Sequence, residues 1–126
     1  MKITFENVSF FHCRLEGASF FKATFHDVSF TNANLIAADF SGSDLNGAKD
    51  LTQMQLNTII YEKDNPPINL SNGLNLPTER AYFYEGIRRV FVSSDDETLS
   101  RKPVEEVVDE LLAEQDNAYS ESLPPS

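Results

Sequence analysis

The chain has 126 residues, a formal net charge of −10 at pH 7, 40% hydrophobic residues and a single cysteine. That length suits one domain with appendages, and no stretch approaches the roughly eighteen consecutive apolar residues of a membrane span. The acidic balance argues against direct binding of free nucleic acid, whose phosphates are contacted by Lys and Arg, and the N-terminus lacks a charged-then-apolar leader, so the expected address is cytoplasmic.

From Phe5 to Leu45 every fifth residue is Phe or Leu: Phe5, Phe10, Leu15, Phe20, Phe25, Phe30, Leu35, Phe40 and Leu45. Two places before each stands a small or β-branched residue: Ile3, Val8, Cys13, Ala18, Ala23, Val28, Ala33, Ala38 and Ser43, with Ala48 continuing the series. A helix repeats near 3.6 residues and a flat strand at 2, so neither holds a period of five on one face. A coil with four short sides does. One five-residue unit then makes one side and one corner, the large residue and its small partner point to the axis, and each turn buries its apolar face only against the next.

The runs Ala33-Asn34-Leu35, Ala38-Asp39-Phe40 and Ser43-Asp44-Leu45 resemble the A-(D/N)-L-x-x consensus of the pentapeptide-repeat family, and the resemblance covers residues 1–50. It implies a β-solenoid, namely a short right-handed quadrilateral parallel β-helix of about two and a half coils with some twenty residues per coil. At that spacing Phe5, Phe25 and Leu45 stack, as do Phe10 with Phe30, Leu15 with Leu35, and Phe20 with Phe40. Cys13 falls on an inward small position, which makes it a core residue rather than a disulfide or metal ligand.

Thr52 followed by Gln55 is a capping-box signature, and Leu51, Met54 or Gln55, Ile59 and Ile60 continue with helical spacing, so a helix is expected from Thr52 to about Tyr61. Asp64-Asn65-Pro66-Pro67 ends it, and Asn72-Gly73 marks a turn. Residues 51–77 look like the segment that closes many pentapeptide-repeat modules, which would cover the strand edges of the last coil.

Residues 78–116 form a helical, acidic extension in this reading. A helix starting at Pro77-Thr78-Glu79 would align Phe83, Ile87, Val90 and Phe91, although Gly86 and the run Val90-Phe91-Val92 speak against it. Residues from Ser93 to Glu97 form a polar loop. Pro103 suits a first helical turn, after which Val104, Val107, Val108, Leu111 and Leu112 make an apolar stripe opposite Glu105, Glu106, Asp109 and Glu110. Residues 117–126 are expected to be a disordered tail. The charge follows this division: residues 1–50 hold Lys2, Arg14, Lys22 and Lys49 against six acids, whereas from Pro103 onward there are seven acids and no Lys or Arg.

No catalytic motif is present: there is no phosphate loop, nucleophile elbow or Cys/His pair, and His12 and His26 fall on different outward corners. The expectation is a non-enzyme without metal or cofactor. Outward positions carry the functional signal instead. The residue after each large core position is usually polar, but Phe11, Phe21 and Ile36 break the rule, so they and Val104, Val107, Val108 and Leu111 are candidate partner-binding residues unless the C-terminal segment covers them.

Two readings follow. One is a protein–protein interaction or scaffold module with a protein partner, self-associating through an end of the β-helix because so short a solenoid needs a staple and the edges around Met1 to Phe5 need cover. The other is a DNA mimic, since some pentapeptide-repeat proteins are acidic rods that occupy the DNA site of gyrase. Net charge favours it, while a rod of roughly 10–15 Å does not. A secreted or phage-associated accessory protein is a third possibility, because the family tells fold better than function.

Overall fold

The computed structural model describes residues 2–77, 81–85, 88–91 and 102–122, and of residues 81, 83–85, 88–91, 102, 104 and 115–122 it describes the backbone alone. Through the first fifty residues the chain pairs with itself twenty residues on. Strand β1 (Thr4–Glu6) runs parallel to β2 (Thr24–His26) with Phe5 opposite Phe25, and β3 (Val28–Ser29) runs parallel to β4 (Ala48–Lys49) with Val28 opposite Ala48. Single parallel bridges keep the same offset between Ser9 and Ser29, Arg14 and Asn34, Ser19 and Asp39, and Thr24 and Asp44. This is a β-solenoid, whose strands are only two or three residues long.

The large and small inward residues fill its axis. Phe25, Phe30, Leu35 and Phe40 are each at most 1% exposed, and Ala23, Val28 and Ala38 are completely buried. Rings one turn apart stack, with centroids 5.7 Å apart for Phe5 and Phe25, 5.3 Å for Phe10 and Phe30, and 4.9 Å for Phe20 and Phe40. Rings within a turn meet edge to face, as Phe25 and Phe30 do at 79°. Both geometries set ring edges against π faces, adding about 0.5–1.5 kcal/mol per pair to the burial. The expected columns Phe5–Phe25, Phe10–Phe30 and Phe20–Phe40 are therefore present.

A second five-residue series makes the corners. Asn7, His12, Gly17, Lys22, Asp27, Asn32, Ala37, Gly42 and Gly47 all have φ between 54° and 91°. A left-handed residue at the second corner position turns the chain between sides, as in a type II turn. Glycine takes it freely, Asn and Asp at modest cost, and Ala37 at a penalty of about 1–2 kcal/mol.

The twenty-residue offset is interrupted after Asp50 and recurs where Tyr61 and Glu62 pair with Ala81 and Tyr82. Helix α1 (Gln53–Leu56) opens with a complete capping box between Thr52 and Gln55, but it is one turn long and does not reach Tyr61 as its spacing suggested. The reason lies in the turn beneath, which presents unpaired backbone groups. Ala37 N–H donates to Thr58 O at 2.7 Å, Phe40 N–H to Ile60 O at 3.0 Å and Ile60 N–H to Ala38 O at 2.9 Å, so the β-branched Ile60 is drawn into extended pairing while the Ile59 N–H reaches back to Leu56 O at 3.3 Å. Asp39 bridges Ile60 and Asp44 bridges Ile68, offsets of twenty-one and twenty-four. Leu56 and Ile59 complete the core from above.

The expected helix after Pro77 is also replaced by strands. β6 (Ala81–Glu85) pairs in parallel with β5 (Tyr61–Glu62), then turns into antiparallel β7 (Arg88–Phe91), which pairs with β8 (Lys102–Pro103). The aromatic and β-branched content of Tyr82-Phe83-Tyr84 and Val90-Phe91 suits a pleated surface, and β5 supplies an edge to extend. The polar stretch 93–97 lies outside the described residues. Helix α2 (Val104–Ser122) starts directly after Pro103, which itself ends β8, and it continues past Asn117 where a disordered tail was expected. No Gly or Pro interrupts the chain between Pro103 and Pro124, so nothing in that interval stops the helix.

Candidate protein-binding surface

Of the three apolar residues that break the outward polar pattern, the fold treats Ile36 differently from Phe11 and Phe21. Ile36 is 7% exposed and sits with Ala37 beneath Val107 and Leu111, each 4% exposed, with Val108 and Leu112 packed alongside. Helix α2 thus lies across the solenoid flank at Ile36-Ala37. The small side chain at Ala37 lets it approach, and the covered corner explains why an alanine is held at φ 60° where Asn or Gly would be less strained. Val108 also packs against Ile60 and Tyr82, which ties the helix to the β5–β6 side. The side chain of Val104 lies outside the described residues.

Tyr82 anchors this side of the molecule. Fully buried at 1% exposure, it donates its hydroxyl to Asp39 Oδ2 at 2.7 Å, while Asp39 Oδ1 accepts Ser41 Oγ at 2.6 Å and Ser41 Oγ accepts the Glu62 N–H at 2.6 Å. A buried phenol and a buried serine are thereby satisfied by one carboxylate, which a buried polar cluster requires. Neither Tyr82 nor Ala37 was signalled as functional by pattern, since the repeat names a position and not what will later fold onto it.

Phe11, by contrast, is 57% exposed and Phe21 is half-buried. Both lie on the first turn. The Phe11 ring meets His12 edge-on at 4.1 Å, and Lys22 Nζ stands 5.3 Å over the Phe21 ring. Chain order places Ile36, stacked over Glu16, between the columns Phe11–Thr31 and Phe21–Ser41, so α2 covers the corner between them. Glu105, Glu106, Asp109 and Glu110 point away from the covered face and are exposed. Their helix therefore presents an acidic outer surface beside two apolar residues.

The other charged groups are scattered over the repeat. Lys49 Nζ pairs with Asp27, which holds the lysine above its ordinary pKa. Asp44 is held below the usual carboxylate range, first by the Asn69 side-chain amide at 2.8 Å and then by the Asn46 N–H at 2.9 Å. Burial raises the Tyr61 phenol. Among the described residues no group of three or more His, Cys, Asp or Glu is placed to hold a metal ion, and no helix is long and apolar enough to cross a membrane. His12 and His26 are both exposed, and Cys13 lies half-buried with a free thiol.

The family model for pentapeptide repeats (8 copies) matches residues 13–49 and 24–57. No curated protein and no solved structure matches the chain.

Proposed function

Starting from a chain that carries pentapeptide repeats, we propose that it is a non-catalytic interaction or scaffold module in which a right-handed quadrilateral β-helix, closed by α1 and residues 57–70, displays a binding flank. The repeats support the general class, since such proteins are structural or interaction modules rather than enzymes. The single observation that carries the finer reading is the unequal cover of the outward apolar residues. α2 is spent on Ile36, and Phe11 and Phe21 remain on either side of it. Aromatic residues ringed by polar ones are the usual anchors of a protein interface. In this reading Val107, Val108 and Leu111 bind the chain's own flank, and the partner meets Phe11, Phe21 and the acidic outer face of α2.

The DNA-mimic reading has weaker support. The paired turns span only about 10 Å at one strand spacing each, and the acids concentrate on α2 rather than along the repeat.

A photo-crosslinking residue placed in the full chain at position 11 or 21, expressed in the native host, should capture a heterologous polypeptide, and one at the exposed Asn72 should not. Absence of any heterologous adduct from both 11 and 21 would defeat the binding flank.

A further inference from the structure

The first turn differs from the second in what its backbone does. One turn up, the N–H groups of Ser29, Asn34 and Asp39 donate to Val8, Cys13 and Ala18 O, and the carbonyls of Ser29, Thr31, Asn34, Ile36, Asp39 and Ser41 accept from the first turn. The matching first-turn groups, the N–H of Ser9, Arg14 and Ser19 and the carbonyls of Ser9, Phe11, Arg14, Glu16, Ser19 and Phe21, have no backbone partner among the described residues. They form an open strand edge around the end of the solenoid. The apolar filling is open there too: Phe5, Val8, Phe10 and Leu15 are half-buried, whereas Phe25, Val28, Phe30 and Leu35 one turn on are at most 1% exposed.

We infer that this face is closed by a second copy of the chain, the two first turns meeting across a two-fold axis with antiparallel backbone pairing. Two observations choose this occupant. The opposite end of the solenoid is already spent, because Thr58, Ile60, Asn65 and Ile68 pair with Ala37, Phe40, Gly42 and Leu45. Head-to-tail stacking therefore has no second edge to use, and the remaining arrangement is isologous and closed. Charge supplies the other argument. The rim carries Lys2, Glu6, Arg14, Glu16 and Lys22 in alternating sign, while the rest of the chain is strongly acidic. With Ser9 on the two-fold axis, positions equally far before and after it face one another. Lys2 then meets Glu16 of the partner subunit, and Glu6 meets His12 of the partner subunit.

The test uses the full chain and sedimentation equilibrium. The expected mass is twice the 14.2 kDa of one chain, with Ser9→Pro giving a monomer of unchanged far-UV circular dichroism, because proline removes an N–H that no backbone bond among the described residues uses. Lys2→Glu should weaken the dimer about tenfold and Glu16→Lys in the same chain should restore it. A wild-type monomer at roughly 0.1 mM overturns the inference, as does a Ser9→Pro chain that remains dimeric or a charge reversal that Glu16→Lys fails to rescue. A heterologous crosslink from Phe11 or Phe21 is unaffected by any of these results, so the two readings fail separately.

Discussion

The first and second turns of the solenoid are written in the same five-residue grammar and end in different environments. Phe5 and Phe25 occupy one column, yet Phe25 is 1% exposed and Phe5 is half-buried. Ile36 and Phe21 both break the outward polar rule, yet one lies under a helix and the other does not. In a stacked architecture the burial of a residue is set by the layers above and below it, and its own position in the repeat decides only direction. Equal sequence therefore does not mean equal energy.

That contrast can be broken most sharply at the rings. Phe30→Ala, at 0% exposure and between neighbours on several sides, should cost about 3–5 kcal/mol, whereas Phe10→Ala in the same column should cost about half as much. Urea unfolding of the two variants in the Ser9→Pro background, where the first turn stays uncovered, measures the gap, and the gap should narrow in the self-associated chain. A smaller effect comes from the covered corner. Val107→Asp with Leu111→Asp places two charges against Ile36 and Ala37, so α2 should detach at a cost of about 2–4 kcal/mol in lost burial. Hydrogen exchange should show amides of α2 unprotected while those of Phe30 and Ala33 stay protected.

Next come the corners. A Cβ at Gly47 would sit 2.2 Å from the Phe25 carbonyl oxygen at φ 91°, whereas at Gly17, φ 72°, it would meet nothing within 4 Å. Gly47→Ala should destabilise by about 1–3 kcal/mol and Gly17→Ala by about 1 kcal/mol, both read from urea midpoints. The smallest effect concerns Asp44. Its folded pKa is depressed below 3.8, so its stabilising share is complete above that value and fades as pH falls through the folded pKa. Asn69→Ala removes the chief cause and should flatten the stability profile below pH 3.8, by well under about 1 kcal/mol because the carboxylate is largely exposed.

How much of this was legible depends on whether a residue's role is fixed by its own neighbourhood. Phe25, Phe30 and Ala33 were readable because a period of five admits one inward direction. The capping box of Thr52 and Gln55 was readable because it is closed within four residues. Ile60 is not helical because its partners are backbone groups of Ala38 and Phe40, about twenty residues away, and helical spacing cannot report an edge waiting to be paired. The hairpin of β6 and β7 was missed for the same reason, with Gly86 and Val90-Phe91-Val92 as the available warning. Six of the nine left-handed corner positions are Asn, Asp or Gly, and His12, Lys22 and Ala37 interrupt that column. With those three exceptions, residue type alone does not mark the corners.

Gln55 holds a further lesson. Its side-chain amide donates to the Phe30 and Ala33 carbonyls at 2.8 and 3.0 Å while its oxygen accepts the Thr52 N–H, and the residues that follow it attach through N–H and C=O groups of the turn below. The lid thus attaches mainly through a turn's backbone, with side-chain bonds at Ser41 and Asp44 and apolar packing by Leu56 and Ile59. Any turn with the same corners, the same inward residues and a Ser and an Asp at the places of Ser41 and Asp44 would serve it equally well. A spliced-in block of twenty residues before Leu51, written in the same grammar, would present an identical landing surface one layer higher. The rod is in this sense adjustable in length, with its ending already portable.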